Sequence, residues 1–367
     1  MRKSEVNARR LFDVSARLGD AAIDPALWPE VMEQISLAVG STGAVLLQTD
    51  TRTPDVPRTA GVGELVKNYF AEGWHTRDLR GERGIPLLLR GQKVFIDQDV
   101  VSPHKMKRAA LYNELLAPLG FGWFAAIGFS AGSALWAIAI QRTFQEGPFD
   151  EDDKWLLGEM SRRLTETASL SKAVGAAVLS GVTNALHLIK QPALALDRLG
   201  FVLEMNEATE WLFDNDIRVR GRRLYVRDQR AKAILDAFVD KLRTTPDTAP
   251  LPAEPIVVRR RARRPVVIRI LPVDGAARSP FLGARTLLTL TDLDCKVIPP
   301  TDVLSQTFGL SPAEARLAGL IVTGISLERA ADELGIARET ARNQLKAVFS
   351  KTDTHRQGEL IALLARL

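Results

Sequence analysis

The sequence predicts an α+β multidomain protein, with two sheet-containing domains joined by a long helix and followed by a C-terminal four-helix domain. A length of 367 residues suits two or three domains, and a hydrophobic content of 46% is enough for several cores. Strand-like and helix-like segments alternate up to residue 296, whereas only helical periodicity follows residue 304. Residues 151–189 carry apolar side chains at spacings of mostly three or four, which predicts the long helix.

The C-terminal segment is predicted to form three short helices, with a tight turn before the third, and a fourth helix near residues 356–367. Ser311 is a suitable N-cap, and Pro312 stands in the first turn, where a missing N–H costs nothing. Glu314 is placed to close a capping box with Ser311. Gly335 marks the turn before the third helix. This pattern predicts a helix-turn-helix, a motif that binds DNA.

The third of these helices separates into two faces. Ala341, Leu345, Val348 and Thr352 recur at spacings of four, three and four, so they form one buried stripe. The other face is basic and carries amides, and Arg and Asn can bind guanine and adenine through paired hydrogen bonds. The alternative is the solvated surface of an ordinary helix. The residues expected to contact DNA are Arg338, Thr340, Arg342, Asn343, Gln344, Lys346 and Lys351.

Residues 304–367 resemble the LuxR-type (LuxR/FixJ) DNA-binding domain. The positions that match its pattern are Ser311, Pro312, Glu314, Gly324, Ala331, Leu334, Gly335, Ile336, Thr340, Lys351, Glu359 and Leu360. The positions that depart from it are Ala337 for the usual Ser cap, Ala341 for Val, Gln344 for His and Thr352 for Leu. Loss of the cap costs about 1 kcal/mol unless a DNA phosphate binds the free N–H groups. The resemblance implies a sequence-specific transcriptional regulator that binds double-stranded operator DNA, with RNA polymerase as a further partner.

The charge of the C-terminal segment favours a homodimer. Acidic and basic residues cancel across residues 301–367, so the positive field is confined to the third helix and one copy would bind DNA weakly. Proteins of this kind usually gain affinity by forming a dimer that binds two DNA half-sites. We expect dimer contacts from the 151–189 helix and from the final helix. The alternative for the 151–189 helix is packing on its own sheet.

Residues 180–296 are predicted to form the second sheet domain. The spacing of Asp197, Gly200, Val202, Asn206 and Ala208 predicts a strand, a tight turn, a second strand and a helix that begins at Asn206. The later elements are predicted near 231–242 (helix), 256–260, 265–272 and 285–292 (strands). This order resembles a PAS domain. No cofactor is expected. The residues directly after Asn206 include no cysteine that could react with a flavin. The one histidine nearby that could hold a haem, His187, is predicted at the end of a helix, where a lone histidine is usually a surface or capping residue.

Residues 1–150 are predicted to form a GAF- or PAS-like sensor domain. The predicted helices cover Glu5–Leu18, Trp28–Val39, Glu64–Phe70 and His104–Leu116, and the predicted strands cover Gly43–Gln48, Lys93–Asp97, Phe121–Phe129 and Ala134–Arg142. The predicted domains are therefore 1–150, a connecting helix over 151–189, a PAS-like block over 180–296, a linker over 297–303 and the helix-turn-helix over 304–367. This layout resembles LuxR-type regulators that carry an N-terminal sensor.

Aromatic residues in the first domain predict a pocket for a small, largely apolar ligand, since ligand pockets are mostly apolar with few polar groups. The candidate ligand-binding residues are Tyr69, Phe70, Trp74, Asp78, Tyr112 and Trp123. The spacing is similar to the autoinducer pocket of quorum-sensing LuxR proteins, although Leu79 stands where those have Pro. A plain packed core is the alternative, and the chain would then be a constitutive regulator whose sensor-like domains serve only dimerisation or protein contacts.

Other classes of protein lack support in the sequence. We find no nucleotide-binding glycine loop, metal cluster or nucleophile motif, and the four histidines are scattered, so an enzyme is not expected. The first strand lacks the paired acidic residues of a phospho-receiver domain. A single cysteine precludes a disulfide framework or a Cys-based zinc site. No stretch reaches the ~18 apolar residues of a membrane span, and no signal-peptide core is found, so we expect a cytoplasmic protein without a membrane partner.

Overall fold

The computed structural model describes residues 6–49, 54, 56–245, 254–295 and 298–367. The chain divides into two compact units between Thr291 and Asp292. The predicted α+β class is confirmed, with two antiparallel sheets and a long helix in the first unit and only helices in the described part of the second. Three positions at the bounds of predicted segments lie outside the described residues: Glu5, where the first helix was predicted to begin, residue 296, the end of the predicted PAS-like block, and residue 297, the start of the predicted linker.

The first sheet is built from four antiparallel strands in the order β1-β4-β3-β2, counted over the described residues. The strands are β1 (Gly43–Gln48), β2 (Val94–Ile96), β3 (Phe121–Ala131) and β4 (Ala134–Thr143). The helices around this sheet are α1 (Ala8–Ile23), α2 (Trp28–Ala38), α3 (Gly63–Ala71), α4 (Leu79–Leu89), α5 (Asp97–Val100) and α6 (Pro103–Met106). The long helix α7 (Glu151–Leu188) follows the sheet.

Both faces of this sheet are covered, which explains why its strands are apolar almost throughout. Trp136, Ile138 and Ile140 alternate along β4 and pack in one core with α1, α2 and the first half of α7. Ala137 and Ala139, which point the other way, pack in a second core under α3 and α4. The small side chains on this second face leave room beneath the helices.

Helix α4 was not predicted, because Pro86 and two glycines within it argue against a helix. Asp78 begins the helix as its N-cap, and its side chain accepts a hydrogen bond from the Arg80 backbone N–H. A side chain at Gly84 would bring its Cβ within 2.1 Å of the Phe95 ring, so glycine is what allows α4 to lie this close to the sheet.

The single helix predicted over residues 104–116 is wrong. The structure has α6 (Pro103–Met106), a break, and then a π-helical turn over Leu111–Leu116. The side chain of Asn113 donates hydrogen bonds to the carbonyl oxygens of Lys107 and Ala109, which lie in the break. At Lys107 the side-chain amide thus takes the place of the backbone N–H of residue 111, which would donate to this carbonyl in an uninterrupted helix.

The second sheet has the strand order β6-β5-β11-β10-β9. Its region contains β5 (Ala193–Asp197), β6 (Val202–Met205), α8 (Glu207–Leu212), β7 (Ile217–Arg220), β8 (Arg223–Val226), α9 (Gln229–Thr244), β9 (Ile256–Val258), β10 (Val266–Pro272) and β11 (Ala284–Asp292). The β7-β8 hairpin was not predicted. Asn206 caps α8 as predicted, and its amide also donates to the Thr183 and Gln191 carbonyl oxygens, which joins the start of α8 to the end of α7.

A loop of the second sheet is anchored in the core of the first. Phe281, between β10 and β11, is buried against Trp28, Phe129 and Trp136, with ring centroids 5.1, 6.0 and 5.1 Å away in edge-on geometry. Beside it, the Ser279 hydroxyl lies 2.9 Å from the Ser171 hydroxyl of α7. These contacts make the two sheets and α7 parts of one compact unit.

The second unit, described from residue 298, has helices α10 (Thr301–Phe308), α11 (Pro312–Val322), α12 (Leu327–Leu334), α13 (Arg338–Thr352) and α14 (Gln357–Leu364). Helix α10 precedes the four predicted helices. The capping box is present: the Ser311 hydroxyl accepts from the Glu314 N–H at 3.3 Å, and the Glu314 carboxylate accepts from the Ser311 N–H at 2.7 Å. Leucine, isoleucine and alanine side chains from all five helices form its core.

Candidate functional site

Helices α12 and α13 are joined by a short turn that begins at Gly335. Ser326 caps α12, and Gly335 ends it with a φ of 64°, in the left-handed region that suits glycine. Ala341, Leu345, Val348 and Thr352 of α13 are all buried, so the predicted stripe faces the core of the unit. The opposite face of α13 is therefore the one presented to solvent.

The exposed face of α13 carries most of the residues predicted to contact DNA. Arg338 pairs with Glu328 at 3.3 Å, and Arg342 pairs with Glu339 at 3.1 Å. All four side chains are well exposed, so each pair contributes only about 0–1 kcal/mol and can exchange for another anion at little cost. The remaining predicted residues of this face are Thr340, Asn343 and Lys346, which are exposed, and Gln344, which is half-buried.

The first turn of α13 lacks a side-chain cap. Ala337 occupies the N-cap position with extended backbone, and no side chain accepts a hydrogen bond there. The backbone N–H groups of the first turn are thus left to solvent or to a ligand, and the helix dipole gives them a partial positive charge. Arg338 and Arg342 lie in the first two turns of α13, next to these N–H groups.

Lys351 lies at the other end of α13, where it has a structural partner. Its ammonium group is 2.7 Å from the carboxylate of Glu314, the residue that closes the capping box of α11. The hydrogen bond from Lys351, together with the Ser311 N–H, lowers the pKa of Glu314 below its usual value. Lys351 therefore ties the last turn of α13 to the first turn of α11.

The first unit contains a cavity of about 60 Å³ between the sheet and helices α3 and α4. Its wall is apolar over most of its extent, and its polar groups, apart from Thr49, are gathered near the start of α4. The lining residues are Val45, Leu47, Thr49, Leu65, Val66, Tyr69, Phe70, Asp78, Arg80, Gly81, Ile85, Leu88, Phe95, Phe124, Ala126, Ala137, Ala139 and Gln141. Thr49, Asp78, Gly81 and Ile85 also line an outer cleft of about 520 Å³.

Arg80 is the central polar group of this cavity and is only 4% exposed. Its guanidinium lies 4.4 Å from the centre of the Phe124 ring and donates a hydrogen bond of 3.3 Å to the Gln141 side-chain oxygen. Its Nε is 3.6 Å from the Asp78 carboxylate and makes no hydrogen bond. Asp78 in turn accepts a hydrogen bond of 2.9 Å from the Tyr69 hydroxyl. A cation, a carboxylate and an amide thus meet at one end of an apolar cavity.

A second carboxylate lies behind Arg80. Asp97 is buried and accepts a hydrogen bond from the Tyr112 hydroxyl, while its other oxygen has no hydrogen-bond partner. Burial raises the pKa of Asp97 to about 6, against the lowering effect of the Arg80 charge. Burial also opposes the charge of Arg80, but the neighbouring acidic groups, Asp78 first and Tyr112 second, outweigh it, so the pKa of Arg80 is raised. Burial, followed by the Asp97 charge, raises the pKa of Tyr112.

The structure brings together only some of the predicted ligand-binding residues. Tyr69, Phe70 and Asp78 line the cavity. Trp74 and Tyr112 belong to the same core but not to the cavity wall, and the Trp74 ring is covered by Arg77 at 3.9 Å. Trp123 packs against the core on the opposite face of the sheet, because its side chain points away from that of its neighbour Phe124.

Arg80 and Gln141 were not predicted as site residues, although the spacing of their neighbours in the sequence indicates that both side chains point inward. Gln141 continues the Ala137, Ala139 alternation of β4, so it occupies an inward position of an apolar strand. Arg80 precedes Gly84 and Leu88 at spacings of four, which is the buried stripe of α4. A polar residue on a buried face is a stronger sign of a site than an aromatic residue there, since an unpaired buried polar group is costly.

The residues that the structure describes include no group of three or more His, Cys, Asp or Glu side chains placed to hold a metal ion. None of their helices combines the length and the apolar character needed to cross a bilayer.

Comparisons with known proteins give only distant structural similarity. No protein-family model matches the chain, and no curated protein matches it. Among solved structures, the chain is similar to the phage VqmA-DPO complex, at 14% identity and a TM-score of 0.21, over 51% of this chain and 87% of that chain. It is also similar to the E. coli DhaR(N)-DhaL complex, at 14% identity and a TM-score of 0.24, over 80% of this chain and 96% of that chain.

Proposed function

We propose that this protein is a dimeric, sequence-specific DNA-binding transcriptional regulator of the LuxR type. In this proposal α13 is the helix that enters the major groove, and a small ligand bound in the first unit controls DNA binding. RNA polymerase is a further proposed partner, implied by the LuxR-type resemblance. The observation that carries the proposal is the α12-Gly335-α13 motif, whose buried stripe leaves a basic, amide-bearing face exposed.

The chemistry of α13 supports base recognition. Arg342 and Asn343 are adjacent, exposed and able to make paired hydrogen bonds to guanine and adenine edges. Lys346 lies one turn further along the same face and is suited to a phosphate or a base. The uncapped N–H groups after Ala337 are suited to a phosphate oxygen, which would replace the missing Ser cap.

Helix α7 supports dimerisation. Its first half is buried against the first sheet, but its second half exposes small and apolar side chains along one face. The larger of these are Leu170, Val178, Val182 and Leu188, with exposed fractions of 50, 41, 41 and 82%. We propose that a second copy of the chain covers this face, since one helix-turn-helix with balanced charge binds DNA weakly and two bind it well.

The cavity in the first unit supports ligand control over the alternative of a constitutive regulator. A domain that served only for dimerisation would have no need to bury a cation, a carboxylate and an amide at an apolar cavity, since such groups cost stability. For a ligand to act, it must bind more tightly to one of the two states of the protein, and DNA must then alter ligand affinity by the same factor.

The proposal is tested by the salt dependence of DNA binding, measured by fluorescence anisotropy on a duplex that the protein enriches from a random pool. Arg342→Ala and Asn343→Ala are each expected to lose about 1–3 kcal/mol of binding free energy and to relax base preference. Lys346→Ala should weaken all sequences alike and reduce the slope of log affinity against log salt by about one. Lys351→Ala is unsuitable for this series because it also breaks the ion pair with Glu314.

The matched control is Arg316→Ala, which removes the same charge from an exposed position of α11. It should leave base preference unchanged. If Arg342→Ala and Asn343→Ala bind the enriched duplex as tightly as the wild type, α13 is not the reading helix and the proposed function is wrong.

A further inference from the structure

The polar end of the cavity restricts the charge of what can bind there. Arg80 and Asp78 both line it, with the Arg80 Nε 3.6 Å from the Asp78 carboxylate. An anion would gain Arg80 but would be forced beside Asp78, with Asp97 close behind. A cation would gain Asp78 but lie beside Arg80. In a buried, low-dielectric site either repulsion is costly, so a ligand with net charge is disfavoured.

The same groups favour a particular pattern of hydrogen bonds. Arg80 offers N–H donors, and its Nε is buried without an acceptor. Asp78 offers carboxylate oxygens, and the Gln141 amide, 3% exposed, can both donate and accept. A ligand group that places an acceptor next to a donor, as a carboxamide or cyclic amide does, would form hydrogen bonds with all three side chains.

The rest of the cavity wall restricts the size and shape of the ligand. Apart from Thr49, the groups beyond the polar end are aliphatic or aromatic, and Phe95, Phe124 and Phe70 supply flat surfaces. The volume of about 60 Å³ is below the ~150 Å³ of a cavity that holds benzene, so a ring requires some widening and a long acyl chain would require far more. Ile85, half-buried between the cavity and the outer cleft, is the side chain whose movement would widen it.

We infer that the cavity binds a compact, uncharged, mostly apolar molecule whose amide-like group bridges Arg80, Gln141 and Asp78. This inference rests on the proposed ligand control and names the chemical class of the ligand. Arg80 and Gln141 hold the acceptor of the ligand, and Asp78 receives its donor. The apolar part of the ligand lies among the phenylalanines.

Four aromatic probes of nearly equal size differ in the charge and polarity of their side group. Benzamide is neutral with an amide, benzoate is an anion, benzylamine is a cation and toluene is apolar. Binding to the full chain is measured by calorimetry, in the wild type and in Ile85→Ala, which opens the cavity to the outer cleft. Benzamide is expected to bind at least about tenfold more tightly than the other three in Ile85→Ala, since only benzamide can form neutral hydrogen bonds to both the Arg80 and the Asp78 charges.

Variants at the polar end locate the site. Gln141→Met, which keeps the volume and the Arg80–Asp78 pair, should weaken benzamide binding by about tenfold and leave toluene binding unchanged. Arg80→Gln should also abolish the preference for benzamide, but it leaves buried carboxylates unpaired, so Gln141→Met is the decisive variant. Arg90→Gln, at the exposed end of α4, is the control and should bind all probes as Ile85→Ala alone does.

The outcomes are separable from those of the DNA experiment. Tighter binding of benzoate or benzylamine, equal binding of all four probes, or no binding in Ile85→Ala overturns the inference about ligand class. None of these results alters the DNA binding expected of α13. If benzamide binds as expected while α13 variants leave DNA affinity unchanged, the site stands and the proposed function fails.

Discussion

Phe281 offers the sharpest test of how the first unit is held together. The side chain is 5% exposed and its ring meets Trp28, Phe129 and Trp136 edge-on at centroid distances of 5.1–6.0 Å. Phe281→Ala removes these contacts and leaves a cavity that three rigid rings cannot fill. The expected loss is about 3–5 kcal/mol in the free energy of unfolding, with the edge-on geometry favouring the upper part of that range.

Urea unfolding followed by tryptophan fluorescence measures this loss, because two of the three rings around Phe281 are tryptophans. Phe12→Ala is the matched control, since the Phe12 side chain is 66% exposed and should change stability by no more than about 0.5 kcal/mol. A loss below about 1 kcal/mol in Phe281→Ala would mean that the loop does not anchor the second sheet on the first.

Three further results are expected. Ala337→Ser should stabilise the C-terminal unit by about 1 kcal/mol in thermal unfolding, because the hydroxyl would cap the free N–H groups of α13, and an unchanged melting temperature would contradict this. Burial raises the pKa of Asp97 from 3.8 to about 6, so between these pH values the folded protein holds a proton that the unfolded chain releases. The contribution of Asp97 to the free energy of unfolding is therefore present below pH 3.8 and is lost as the pH rises towards 6. Asp97→Asn should remove this fall in stability between pH 3.8 and 6, measured by urea unfolding, and an unaltered pH dependence would refute the assignment. The double variant Val178→Glu, Val182→Glu should be a monomer by light scattering at micromolar concentration, whereas the wild type and the control Leu37→Glu should be dimers; a monomeric wild type would refute the proposed α7 interface.

Local signals in the sequence predicted the C-terminal unit well. The capping box of Ser311 and Glu314, the turn at Gly335 and the buried stripe of α13 all depend on residues close together in the chain. Such features are specified by neighbours within a few residues, so spacing alone finds them. Five of the seven strands described between residues 193 and 292 were predicted from alternation and turn residues, but the β7-β8 hairpin was not.

The cavity was only partly predictable, because it is made by contacts between distant segments. Tyr69 and Asp78 were identified from aromatic and acidic residues nine positions apart, but Arg80 and Gln141 lie 61 residues apart and meet only through the packing of α4 on β4. The residues of α4 have a low helix propensity because they include Pro86 and two glycines. The helix forms nevertheless, because Gly84 lets it pack closely on Phe95 of the sheet. The opposite directions of Trp123 and Phe124 depend on the register of β3, which the sequence of aromatics alone does not fix.

The most direct test of the central claim is enrichment of random-sequence duplex DNA by the full chain, followed by sequencing of the bound fraction. The proposal predicts a two-fold symmetric site with half-sites about one helical turn (~34 Å) apart. It also predicts that Asn343→Ala enriches a site that has lost its preference for adenine at one position of each half-site. Bound DNA with the same base composition as the starting pool, or an identical site for Asn343→Ala, would contradict the assignment of α13 as the reading helix.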